Sequence, residues 1–148
     1  MPKSKTVTVD AQLLGQTIAQ VAAEGGSFVL TITGNSMRPW LKPGVDRVRL
    51  VKAGTVREGD VVFFRRLTGE YVLHRVIRVD GETLTVNGDS QDWTERITRE
   101  QVLAVTEAFY HGNRWYDADS LRHRLLAALW PATRKLRPTL IHLKQKLK

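Results

Sequence analysis

Three observations predict a mainly β fold with a short N-terminal helix and a basic C-terminal helical tail. β-type runs recur along the middle of the chain with turn residues between them. One amphipathic stretch precedes them. The charge imbalance is confined to the end that follows them. The expected organisation is an N-terminal helix and lead-in over 1–27, a β-rich domain over 28–117, and a basic amphipathic tail over 118–148.

The helix is expected over 10–24, "DAQLLGQTIAQVAAE". Asp10 fits the N-cap, Leu14, Ile18, Val21 and Ala22 form one stripe, and Gly25-Gly26 supplies the stop. Strands are expected at 28–33, 47–52, 61–66, 71–80 and 83–87, with a further one at 102–111. Lys42-Pro43-Gly44, Glu58-Gly59-Asp60, Thr68-Gly69-Glu70 and Asp80-Gly81 mark the turns between the first five. In the tail, Leu121, Leu125, Ala128 and Leu129 fall at helical spacing before Pro131 interrupts them. A final basic turn, "LIHLKQKLK", follows Pro138.

Composition removes several function classes. The 148 residues suffice for one domain with a core. With no cysteine, there is no disulfide framework, cysteine–zinc site or thiol nucleophile. The polar start "MPKSKTVTVDAQ" lacks the apolar core of a signal peptide. No apolar run approaches the roughly 20 residues of a spanning helix. These features lead us to expect a cytoplasmic protein. The net charge of +8 comes entirely from the end: after Asp119 there are eight basic residues and no acid, which leaves fifteen basic against fifteen acidic residues before it. The pI therefore describes the tail and not the body, and a nucleic-acid partner is not expected. The tail itself is read two ways. It is either a solvated helix packed on the domain, or a peripheral contact with an anionic membrane surface in which "LLAALW" enters the interface and Trp130 sits at headgroup level.

The stretch "TGNSMRPWLKPG", 33–44, follows a strand and contains Ser36. Taken alone, a serine after Gly-Asn is a turn residue in most proteins. Strand alternation places His74 on one face with Val72 and Val76, and Arg75 on the other with Leu73 and Ile77. The Asp80-Gly81 turn folds the chain back, so that Gly88-Asp89 lies beyond the end of the returning strand and could bring Asp89 near the imidazole. A nucleophile, a base and an acid that orients the base are the parts a serine hydrolase needs.

The ordered motifs "GNSMRPWL", "GDVVFFRR", "YVLHRVIRV" and "NGD" resemble the signal-peptidase and LexA-like serine peptidase superfamily over about residues 28–92. The resemblance implies a folded β-sheet peptidase domain, Ser36 as nucleophile and His74 in the base position. That position holds lysine in bacterial signal peptidases, and the histidine is similar to the archaeal and endoplasmic-reticulum type. It further implies Asp89 as the acid, with Asp92 as a second candidate, and a peptide substrate bound in extended conformation. Gly59-Asp60 and Arg75 are read as structural. No metal or cofactor is implied. The oxyanion would rest on backbone N–H groups, Ser36's among them, or on Asn35, because Gly34 stands where bacterial signal peptidases carry a serine. Trp40 replaces a small residue and is expected to alter the cleft rim. The membrane-spanning segment that precedes the nucleophile in signal peptidases has no counterpart here. The alternatives are a self-cleaving LexA-like regulator, against which the 27 residues before the β-domain leave no room for a DNA-binding domain, and a non-catalytic module that binds through its tail. A histidine base of ordinary pKa, about 6.5, would make activity fall in mildly acidic solution.

Overall fold

The computed structural model describes residues 11–137, so Asp10 and the "LIHLKQKLK" segment lie outside the described residues. Helix α1 runs Ala11–Ala23 and is followed by strands β1 (Phe28–Thr31), β2 (Arg47–Val51), β3 (Val61–Arg65), β4 (Tyr71–Asp80), β5 (Thr83–Asn87), β6 (Glu95–Thr98), β7 (Val102–His111) and β8 (Arg114–Asp117). Helix α2 (Leu121–Leu129) leads directly into a 3-10 segment, Trp130–Leu136. The mainly β expectation holds. All strands join one antiparallel sheet in the order β1-β2-β7-β3-β4-β5-β6, with β8 added to β7.

The expected strands form, within one or two residues at each end. Two further strands, β6 and β8, carry no periodic signal because each has four residues and little apolar content. The signal for β8 lay in its turn. Gly112 and Asn113 both adopt positive φ, the two-residue geometry that closes a tight hairpin between His111 and Arg114.

Helix α1 ends as its sequence dictates. Gly25 takes a φ of 84°, its N–H donates to the Ala22 carbonyl, and the Gly26 N–H reaches back to Val21. Those two bonds satisfy carbonyls that the helix would otherwise leave open. The buried side of α1 is Gly15, Ile18 and Ala22, with Leu14 packed at the margin. Gly15 matters through space: a Cβ there would lie 2.4 Å from the Tyr71 ring, so the helix can approach β4 only without a side chain.

The curled sheet has apolar residues on both faces. One cluster joins α1 to Val48, Leu50, Val61, Phe63 and Phe109. The other holds Val62, Phe64, Val76, Leu84, Val86 and Ile97. β3 serves both, which is why four of its residues in a row are buried. The strand turn before β3 is structural, as expected: Gly59 N–H donates to the Val76 carbonyl, Val76 N–H donates back to Asp60, and Arg75 donates to the Gly59 carbonyl.

Candidate active site

β1 ends at Thr31, and the chain then turns through Gly34, Asn35 and Ser36. Met37, only 2 % exposed, plugs the turn into the core beneath. Ser36 is half-buried at the surface of a cleft of about 410 Å³. The cleft runs between α1, the end of β1 and the start of β4, and His74 lies on its wall with Ser36. The two side chains share the cleft without a hydrogen bond between them. The Ser36 N–H donates to nothing among the described residues. The Asn35 side chain is exposed, its oxygen 3.5 Å from Arg38 Nη1.

His74 is 3 % exposed and stacks edge-on against Phe64, on the Val72 and Val76 face. Burial lowers its pKa to about 4. Glu95 opposes that shift, Arg66 reinforces it, and Asp89 opposes it least. The imidazole is therefore neutral at pH 7, the state a base requires. A histidine of this kind stays neutral well below pH 6.5, which moves the acid limb expected of a His74 base to lower pH.

Asp89 does not orient the imidazole. Its two carboxylate oxygens accept from Arg75 Nε and Nη2 at 2.9 and 2.8 Å, in a pair 3 % and 1 % exposed. The reason is strand alternation. Asn87 pairs with Arg75 in the β4–β5 register, so the residues beyond it fold onto the Arg75 face, opposite His74. Asp92, the second candidate acid, is exposed and makes no hydrogen bond or ion pair among the described residues. The carboxylate that faces the imidazole belongs to Glu95, at the start of β6. Its Oε1 lies 3.7 Å from His74 Nδ1, a buried nitrogen with no hydrogen-bond partner. Glu95 is held in place by a fork of two bonds from Arg66, at 3.0 and 2.8 Å, and Arg66 also lines the cleft.

The Gly88-Asp89 loop instead grips the serine turn. Ser90 N–H donates to the Ser36 carbonyl at 2.9 Å, and Ser90 Oγ donates to the Asn35 carbonyl at 2.9 Å. A Cβ on residue 88 would lie 2.8 Å from the Ser36 carbonyl oxygen, so only glycine permits this approach. Behind the loop stands the tail. The Trp130 indole N–H donates to the Asp89 carbonyl at 2.8 Å, and its ring meets Trp40 edge-on at 5.2 Å. Arg137, 1 % exposed, donates to Asn87 Oδ1 and to the Gly88, Gln91 and Trp130 carbonyls. Trp40 thus turns toward the tail and is absent from the cleft wall, contrary to its expected place on the rim. Trp130 is half-buried and bonded inward, to the Asp89 carbonyl and against Trp40. Nothing in the sequence pattern distinguished these inward contacts from a free amphipathic tail.

A second histidine is buried in α2. His123 stacks on Phe109 at 4.2 Å and on His111 at 5.3 Å, and neither ring nitrogen has a hydrogen-bond partner. Burial lowers its pKa too, to about 4, helped by neighbouring His111. The linkage sign follows: in the unfolded chain both histidines take up protons near 6.5, whereas folded they resist until about 4. Their contribution is intact above pH 6.5 and is lost as pH falls toward 4, by up to about 3 kcal/mol each. Urea midpoints measured at pH 7, 5.5 and 4.5 should fall steadily; a flat profile over that range would contradict this burial.

Among the described residues no helix is long and apolar enough to cross a membrane, and no group of three or more His, Asp or Glu could hold a metal ion. Comparison with curated proteins finds no matching relative. A comparison with protein families finds one over residues 3–107, a span that includes the serine turn, the His74 strand and the Gly88-Asp89 loop. The family is one of the LexA and signal-peptidase superfamily, in which a serine peptidase or self-cleaving role is general and some members are non-catalytic. By this match the chain belongs to the Peptidase S24-like family.

Proposed function

We propose that the protein is a signal-peptidase-like serine endopeptidase in which Ser36 is the nucleophile and His74 the general base. The observation that carries this reading is the pairing on one cleft wall of a serine in the turn after β1 with a buried, neutral histidine. The fitting tautomer has its proton on Nδ1, facing Glu95, and leaves Nε2 for the Ser36 hydroxyl. In the first step Oγ bonds to the peptide carbonyl carbon and His74 takes the hydroxyl proton. The oxyanion meets the Ser36 N–H. Collapse breaks the C–N bond, and the departing amine takes the proton from His74, leaving an ester on Ser36. Water then gives a proton to the same imidazole and bonds to the ester carbon, and the C–Oγ bond breaks as Ser36 Oγ takes that proton back, releasing the acid and restoring the enzyme. Glu95 is the positioning residue. It stabilises the imidazolium that forms, and Arg66 fixes its place.

The substrate is an extended peptide. Among the described residues β1 lies at the edge of the sheet and pairs only with β2, and Leu30 to Ile32 line the cleft. Its open edge can take up one more strand and carry a scissile bond past Ser36.

The test is covalent. A fluorophosphonate probe should add one adduct to the purified protein, mapped by peptide mass spectrometry to Ser36, and none to Ser36→Ala. Labelling elsewhere, or none, would refute the nucleophile. A parallel time course of intact mass without probe should stay constant; a new pair of fragments would replace cleavage of other chains with self-cleavage.

A further inference from the structure

α2 is fixed to the domain by residues on its inner side. His123 is stacked on Phe109, and the segment that follows is tied down by Trp130 and Arg137. The helix therefore cannot roll to hide its opposite face. That face carries Leu121, Leu125 and Leu129, at 72, 51 and 66 % exposed. Leucines at i, i+4 and i+8 form one stripe along a helix. Single exposed leucines are ordinary, but a row of them on a rigid helix marks a contact surface.

The charge around the stripe selects the partner. Arg122 and Arg124 are exposed within α2, and Lys135 is exposed just beyond it. No acidic residue occurs after Asp119. A second copy of this chain, packed leucine row to leucine row, would bring the α2 arginines of both copies together. A nucleic acid would answer the arginines and leave the leucines in water. An anionic bilayer answers both, since its headgroups meet the arginines while the leucines enter the acyl boundary.

We propose that the outer face of α2 docks on anionic lipid membranes, lying flat with the leucine row inserted. The leucines, and not Trp130, are the inserting groups. Since Trp130 and Arg137 also hold the loop that grips Ser36, docking would set the cleft beside the bilayer.

Co-sedimentation of the full chain with vesicles tests this. Vesicles of phosphatidylcholine with about one third phosphatidylglycerol should retain the protein. Pure phosphatidylcholine should retain it at least about tenfold less, and raising salt should weaken the anionic binding. Leu125→Gln with Leu129→Gln should reduce binding about tenfold or more. Arg122→Gln with Arg124→Gln should reduce it by about an order of magnitude. All four side chains are exposed, and unchanged thermal melting would show that the fold is kept. Equal retention on both vesicle types, or full retention of the double leucine variant, would overturn the proposal. So would leucine-dependent dimerisation without vesicle binding. Since the readout is sedimentation and not cleavage, the outcome is independent of whether Ser36 is a nucleophile.

Discussion

Ser36→Ala and His74→Gln should each reduce turnover of an extended peptide substrate, selected from a peptide library, by on the order of 10⁴-fold or more. The serine supplies the bond-forming oxygen, and without the base its hydroxyl is a poor nucleophile at neutral pH. The double variant should be no slower than either single one, because the two side chains move one proton between them. The pH profile separates this mechanism from others. With the His74 pKa lowered to about 4 by burial, kcat/KM should hold through pH 6 and fall only as pH approaches 4. Glu95→Gln should slow turnover less than either dyad change and move the acid limb lower still, since Glu95 is the larger of the influences that raise the His74 pKa. An acid limb at 6.5 would mean that the base is a more exposed group than His74. An additive double variant would mean that the two residues do not act as a unit.

The sheet was legible in the sequence because its long strands alternate and its turns contain Gly, Pro and Asp at the needed offsets. β4 and β5, joined at Asp80-Gly81, form the hairpin that the sequence predicts. Ser36 and His74 could be singled out because each sits in a motif, and the structure brings both to one cleft. The carboxylate that faces His74 could not. Asp89 lies within the "NGD" motif and yet serves Arg75, because one step along a strand reverses the face. Glu95 lies in a strand whose single buried residue, Ile97, leaves no period to detect, and its approach to His74 depends on β5 lying between β4 and β6. The contacts of Trp130 and Arg137 with the site loop join residues more than 40 positions apart. Amphipathic spacing says which side of a helix is apolar. It does not say which side is already occupied, and here the buried side is the one with His123 while the leucines face out.

Asp89→Asn should destabilise the fold by about 3–5 kcal/mol, because it leaves the Arg75 guanidinium buried without its counter-charge. Both partners are almost wholly enclosed, so solvent cannot substitute for the lost carboxylate. Against a typical total of roughly 5–15 kcal/mol, this is a large fraction of stability. The effect should reach the serine, since the loop that carries Asp89 also donates the Ser90 bonds to the Asn35 and Ser36 carbonyls. Urea denaturation gives the loss directly. Asp92→Asn, on the exposed neighbour, should stay within about 0.5 kcal/mol of the parent. Removing the charge on both sides, with Arg75→Leu added to Asp89→Asn, should cost less than the sum of the two single changes, because no unpaired ion then remains in the interior. A different pattern would reverse the assignment. If Asp89→Asn kept full stability and lost turnover with an altered pH profile, the carboxylate would be acting on His74 after all, and Glu95 would be left with only its bond to Arg66.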